Sequence, residues 1–320
     1  MSRDEQPAAV QEVQERSSQQ GRFARLVGEF LDYLGGVRHL SDNTVRSYSC
    51  DLQHYLDWVG REGIMPLEVT HRQLRGYLAQ MSQAGYSPKT INRHLSSLRT
   101  LYGWLLREGV TQQDSAAAIS GRKVPRTLPT TLTDAEVERL LESFDTTDAA
   151  GLRDRAMLEL LYASGARISE VSRLDVGDVQ AGKYAQVRLF GKGSKERIVP
   201  LYQECVRWVE LYVQRGRPQL VQRGKGERTS ALFVSTRGRR MSAAALRSRF
   251  ELRARQAGLD SGVTPHAMRH TFATELLSGG ADLRSVQELL GHESLQTTQI
   301  YTHLSVGRLK EATRRAHPRG

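Results

Sequence analysis

Apolar residues recur along most of the chain at three- and four-residue steps, the period of helices packed on one side. The pattern starts at Phe23 and runs through about four segments. In the second, Val45, Tyr48, Leu52, Tyr55 and Val59 share a face, and in the third Leu74, Tyr77, Leu78 and Met81 do. The fourth opens at Ser87-Pro88, a capping residue followed by a proline at the first helical position. Its inner face carries Ile91, Leu95, Leu98, Tyr102 and Leu105. At about 100° per residue, Lys89, Arg93, Thr100 and Arg107 then fall on the opposite face. Between Gly109 and Thr131 the period fails, and Pro125 and Pro129 bracket the basic residues Arg122, Lys123 and Arg126, which predicts an interdomain linker over 111–131.

Beyond the linker, Thr133 and Glu136 form a capping box for a helix with Val137, Leu140, Leu141 and Phe144 inside. A long helix follows through Met157 to Tyr162. Two alternating runs, Ala185–Phe190 and Arg197–Leu201, flank the turn Gly191-Lys-Gly-Ser-Lys195 and predict a hairpin with a doubly basic tip. Helical patterning then returns, with Ala231–Val234 as a short apolar run that could add a strand. The first 20 residues show little apolar periodicity and predict a mobile tail. The expected fold is therefore mainly α with a small β-sheet, in two domains: a helical bundle over 21–110 and an α+β domain over 132–320.

Charge narrows the class of partner. Lys and Arg number 46 against 35 Asp and Glu, a formal net charge of +11. An excess of this size points to a polyanion, nucleic acid before membrane surface. No apolar run approaches the roughly 18 residues that span a bilayer. The polar start lacks a signal-peptide core, so the expected location is cytoplasmic. Cys50 and Cys205, far apart and each inside a helical pattern, read as two unrelated buried thiols.

Cationic and proton-carrying side chains concentrate in four short segments of the second half. These hold Arg167, Lys192 with Lys195, His266 with Arg269 and His270, and His292 followed by Tyr301. Each has a structural use when taken alone: a helix cap, a soluble turn, a half-buried ring. Together they match metal-free phosphoryl transfer. Forked guanidinium groups suit the oxygens of a pentacoordinate phosphorus, and a hairpin lysine can protonate a leaving oxygen. Histidine can hold phosphate or carry a proton near neutral pH, and a tyrosine hydroxyl can be a nucleophile if a base or positive field assists it. The fourth helix's basic back face admits two readings, a solvated surface or a surface laid on DNA phosphates.

The order Arg, hairpin Lys, His-x-x-Arg, Gly-His and then Tyr nine residues on resembles the tyrosine recombinases. The words LYASGARISEVSRL, GKGSKERIVPL, TPHAMRHTFATELLSGGADLRSVQELLGH and LQTTQIYTHL are similar to the Xer branch, which resolves bacterial chromosome dimers. The ending AHPR at 316–319 leans to the XerC type. The resemblance covers roughly residues 22–319 and implies a SAM-like core-binding domain followed by the recombinase catalytic domain, the two closing as a clamp on DNA. It implies Tyr301 as nucleophile, Arg167 and Arg269 on the scissile phosphate, Lys192 as general acid, and His266 and His292 completing the proton-transfer network. Lys89, Arg93, Thr100 and Lys195 are expected at DNA. It also implies a 3′-phosphotyrosyl intermediate, a Holliday junction, and no cofactor, metal or ATP. The implied partners are a dif-like double-stranded site, a second Xer recombinase in a cyclic heterotetramer or a homotetramer, and a DNA translocase of the FtsK type. The basic end, with Arg308, Lys310, Arg314, Arg315 and Arg319 against Glu311, would form a helix that docks into the neighbouring protomer.

The sequence leaves rivals. His266 and His270 have the i, i+4 spacing of zinc ligands, but no Glu follows His266. The Gly191-Lys192-Gly-Ser194 word lacks the glycine that a P-loop needs upstream. A type IB topoisomerase would share the tyrosine chemistry without synapsis. A mobile-element integrase, from phage or transposon, and a non-cutting DNA-binding protein on the same fold also stand as rivals.

Overall fold

A computed structural model describes residues 5–124, 131–182, 184–191, 195–224, 229–260 and 262–291. The chain divides into two compact units between Thr127 and Leu128, each with its own core.

Four helices build the first unit: α1 (Glu5–Gly36), α2 (Asp42–Glu62), α3 (His71–Gln83) and α4 (Pro88–Arg107). The predicted stripes are buried except that Val45 and Tyr48 are half-buried at the edge of the core, and Phe23, Val27, Phe30 and Leu34 of α1 join them. Ser41, Thr70 and Ser87 each accept the N–H of the residue three further on, so helix starts fall where side chains can replace missing backbone partners. The polar 5–20 segment, expected as a tail, belongs to α1. Cys50 is a correction: it is exposed, because it lies two residues from both Tyr48 and Leu52 and so points off their face, whereas Cys205 is buried as expected.

The segment expected as linker is half absorbed into this unit. Asn92 of α4 donates to Arg122 O at 2.8 Å and accepts the Arg122 N–H at 2.7 Å. Arg99 donates to the carbonyls of Ala116 and Ile119, and both of those residues are buried in the first core. Non-periodic chain is thus held by side-chain-to-backbone bonds, which apolar spacing does not report.

In the second unit α5 (Asp134–Glu142) starts at the predicted Thr133–Glu136 box and precedes α6 (Ala149–Ser164). Every residue of helix α6 except Ala150 is buried, as expected of a central helix wrapped on all sides. Short α7 (Ile168–Val171) leads to a three-stranded antiparallel sheet: β1 (Val179–Gln180), β2 (Gln186–Phe190) and β3 (Glu196–Pro200), in the order β1-β2-β3. The β2–β3 pair is the expected hairpin, with Val187 opposite Val199 and Leu189 opposite Arg197. Helix α8 (Gln203–Leu211) passes through one π turn (Tyr212–Gly216) into α9 (Arg217–Gln222). Pro218 has no N–H to give to the turn before it, and the wide turn absorbs the defect. Ala231–Val234 adds no strand to the sheet. It is buried, but it pairs with other chain segments through the isolated bridges Asp175 to Ala231 and Val234 to Arg240, and the side chains of Arg217, Tyr212 and Arg153 hold other groups of its backbone. Helices α10 (Ala243–Gln256), α11 (Pro265–Ser278) and α12 (Leu283–Leu290) complete the described part. Among the described residues no helix is long and apolar enough to cross a membrane.

Candidate active site

Three arginines of the second unit converge on the C-terminal end of α12. Arg197 Nε donates to Leu289 O at 2.6 Å, Arg269 Nη2 to Leu290 O at 2.5 Å, and Arg167 Nη2 to Gly291 O at 3.3 Å. Each carbonyl is one that a helix end leaves without an internal partner, and the end of the helix dipole favours cations there. Arg269 also donates to Gly165 O at 2.6 Å, tying the end of α6 to the end of α12.

Two glycines permit this convergence. Gly165 ends α6 at φ +55°, and a Cβ there would collide with the Phe272 ring. Gly291 ends α12 at φ +64°, where a Cβ would lie 3.2 Å from Arg197 Nη1. Both positions call for left-handed backbone, which costs a side-chain-bearing residue, and both lack room.

One carboxylate organises the cluster. Glu170 Oε1 and Oε2 accept the Arg197 fork at 2.8 and 2.7 Å. Glu170 also accepts the Arg167 backbone N–H at 2.7 Å and Arg167 Nη1 at 3.1 Å. Burial alone would raise the Glu170 carboxyl, but the guanidinium groups of Arg197 and Arg167 outweigh it and hold it below the usual range. Arg269 is lowered to about 10, first by burial and then by the charge of Arg167, and stays cationic at neutral pH. Three guanidinium groups against one carboxylate leave the cluster with excess positive charge. The Arg167 side chain is 42% exposed, whereas Arg197 and Arg269 are buried, so the cluster opens to solvent through Arg167.

The predicted site residues divide as follows. Arg167 and Arg269 are brought together, and His266 lies exposed one turn before Arg269 on α11. Lys192, His292 and Tyr301 lie outside the described residues, as does the basic C-terminal segment. Their described neighbours Gly191 and Gly291 both border the cluster: a Cβ on Gly191 would be 3.9 Å from Glu170 Oε1. Lys195 is exposed, and its carbonyl accepts the Gly191 N–H at 2.8 Å to close the base of the tip.

In the first unit, Lys89 and Arg93 are exposed on α4 and Thr100 is half-buried. Arg93 is an ion-pair partner of buried Asp51 and donates to Ser47 Oγ at 3.0 Å. Thr100 donates to Ser96 O at 2.9 Å and lies 3.3 Å from the Tyr48 hydroxyl. Lys89 carries no such tie among the contacts of the described residues.

Sequence reading missed Glu170 and Arg197. Both left a trace. Glu170 stands three residues after Arg167 in a helix-starting word, and Arg197 sits two residues before buried Val199, hence on the inner side of β3. Exposed Ile198 and buried Arg197 invert the usual assignment of apolar residues inward and charges outward.

Comparison with known proteins gives a consistent relationship. The profile described as "Phage integrase family" matches residues 130–308, and "Phage integrase, N-terminal SAM-like domain" matches 27–109. The chain is 42% identical over 295 residues to the tyrosine recombinase XerD of Yersinia pestis, covering 92% of this chain and 97% of that one. It is 39% identical over 300 residues to the tyrosine recombinase XerC of Pelotomaculum thermopropionicum, covering 92% and 98%. Among solved structures, a XerH site-specific recombinase bound to palindromic difH substrate in a post-cleavage complex superposes with a TM-score of 0.67. That match is 25% identical and covers 86% of this chain and 80% of the other.

Proposed function

From the chain's membership of the phage integrase family of tyrosine recombinases, enzymes of site-specific DNA strand exchange, we propose how its own residues perform that exchange. Arg167 and Arg269 hold the non-bridging oxygens of the scissile phosphate. Tyr301 attacks phosphorus, the bond to the 5′ oxygen breaks, and Lys192 gives that oxygen its proton. His266 and His292 take the tyrosine proton and help hold the phosphate. The 5′ hydroxyl of the partner duplex then attacks the phosphotyrosine, so the phosphodiester bond energy is conserved through a Holliday junction. Forked, charge-assisted hydrogen bonds here supply the charge stabilisation that a metal gives elsewhere.

The observation that carries this reading is the convergence of Arg167 and Arg269 on the end of α12, beside the residues leading into Lys192 and His292. Burial fixes Arg269 before substrate arrives, and preorganised donors need no reorganisation as charge develops on the phosphate. Lys89, Arg93, Thr100 and Lys195 are proposed to lie along DNA. For Arg93 this means leaving or sharing Asp51, so its contribution to affinity is smaller than that of Lys89.

The relatives named XerD and XerC support a biological role in resolving chromosome dimers at a dif-like site, in a cyclic tetramer with a second Xer recombinase or with itself. A translocase of the FtsK type would then control the timing. The test is strand exchange between two end-labelled duplexes bearing the host's dif-like site, with and without the second Xer protein. Holliday junctions and exchanged ends are expected without metal or ATP. Cutting and resealing of single duplexes, with no exchange in either arm, would instead mark a topoisomerase.

A further inference from the structure

We propose that Arg197 is the positioning residue for the leaving-group proton donor, pinning the turn end of the β2–β3 hairpin to the phosphate-binding arginines. The inference rests on the assignment of Lys192 and Tyr301 above. Lys195 and Glu196 are exposed, so Arg197 is the first buried side chain after the tip on β3. Only three residues lie between Gly191 and Lys195, whose backbones are joined by a hydrogen bond of 2.8 Å.

The base is tied to two partners by one side chain. Through Nε, Arg197 holds the carbonyl of Leu289, three residues before His292. Through its two Nη atoms it holds both oxygens of Glu170, which in turn holds Arg167 at its backbone and its guanidinium. Two buried contacts therefore connect the hairpin with a phosphate-binding group. Packing alone does not explain this choice. Val199, on the same side of β3, is fully buried and serves the core as an apolar residue. A buried ion pair adds little net stability over an apolar pair, so its geometry is the more informative feature. A lysine at this position could not span both Glu170 oxygens and the Leu289 carbonyl, because its ammonium is a single point and not a planar fork.

The chemistry offers a direct readout. In cleavage the tyrosine oxygen bonds to phosphorus, the bond to the 5′ oxygen breaks, and that oxygen takes a proton from Lys192. If sulfur replaces the bridging 5′ oxygen, the leaving group departs as a stable thiolate and needs no proton, since a thiol ionises near pH 8.5. A defect in proton delivery should therefore disappear on the sulfur substrate, while a general loss of fold or of phosphate binding should persist.

The experiment measures single-turnover cleavage of a nicked suicide site with oxygen or sulfur at that position. The proteins are full-length wild type, Arg197→Lys, Arg197→Met, Lys192→Ala and Tyr301→Phe. Arg197→Met keeps the volume of the buried stem and stands in if Arg197→Lys folds poorly. On the oxygen substrate the Arg197 variants should be slower by about 100-fold, within the range for lost general acid catalysis. On sulfur they should recover most of that loss, in parallel with Lys192→Ala, with half-saturating DNA concentration little changed. Equal deficits on both substrates would overturn the positioning role and leave the assignment of Tyr301 intact. Cleavage by Tyr301→Phe at the wild-type rate would overturn the underlying reading instead.

Discussion

Among the described residues, the first unit buries its polar groups mainly as neutral rings and hydroxyls. Tyr55 and Tyr102 share a hydrogen bond of 2.7 Å, Tyr102 also donates to Pro66 O, and Trp58 donates to Gln80. Tyr77 bridges His54 and His94 at 2.7 and 2.9 Å. Asp51 is the buried carboxylate there. The second unit buries Asp154, Glu159 and Glu170, each beside arginine. Asp154 alone faces Arg153, Arg249 and Arg253. Burying charge carries a desolvation cost that packing does not demand. The unit that carries it is the one whose proposed chemistry needs fixed cations; the other unit, built around aromatic packing, presents Lys89 and Arg93 at its surface.

Removing a cation from the second unit should have the largest effect. Arg269→Gln is expected to slow adduct formation by about 10²–10³-fold, the range for losing one transition-state donor. Site affinity measured by gel shift should fall far less, which would separate its role from that of Lys89.

The next contrast is between carboxylate and hydroxyl. Asp154→Ala leaves three arginines around an empty position and should cost about 3–5 kcal/mol. Tyr55→Phe removes one neutral hydrogen bond and should cost about 1 kcal/mol. Hydrogen exchange resolved by peptide gives the two stabilities separately in the full chain. Similar losses would erase the distinction between the units.

A third test uses a carboxyl that no arginine among the described residues rescues. Glu275 is raised to about 7, chiefly by burial, with a partial offset from the Tyr162 hydroxyl donated at 3.2 Å. Its other oxygen is buried with no hydrogen-bond partner among the described residues. A raised acid binds protons more tightly in the folded state, so its stabilisation is present at low pH and lost as pH rises through about 7. Glu275→Gln should therefore stabilise the second unit above that pH by about 1 kcal/mol and do little at pH 4. Urea unfolding at the two pH values checks it.

The smallest effect belongs to the first unit. Burial lowers His94, outweighing the opposing field of Asp51. A histidine lowered on folding binds protons more readily when unfolded, so stability is complete above about pH 6.5 and declines as pH falls below it. Exchange protection of α2 and α4 peptides should decline over that interval, and His94→Gln should flatten the decline.

The same contrast explains what the sequence disclosed. Helix starts are legible in both units because apolar spacing and caps are local: Ser87-Pro88 starts α4 of the first unit and Thr133–Glu136 starts α5 of the second as read. Arg167 and Arg269 were legible through their words and spacing, which also tied them to Lys192, His292 and Tyr301. The Glu170–Arg197 fork was not, because residues 27 apart become partners only when the sheet packs on α7. The absorbed half of the linker was hidden for a related reason. Its anchors are backbone carbonyls of Ala116, Ile119 and Arg122, and a side-chain pattern cannot announce them.

The most direct test of the central claim, metal-free transfer of the scissile phosphate to Tyr301, is to trap and map the covalent adduct. The full chain, with its partner recombinase if the site requires one, is incubated with a nicked suicide site in chelator. The adduct is digested and its DNA-linked peptide is identified by mass spectrometry. The account predicts a 3′-phosphate ester on Tyr301 at a rate unchanged by chelator, and none from Tyr301→Phe. An adduct on another residue of this chain, or cleavage that stops in chelator and leaves no adduct, would contradict it.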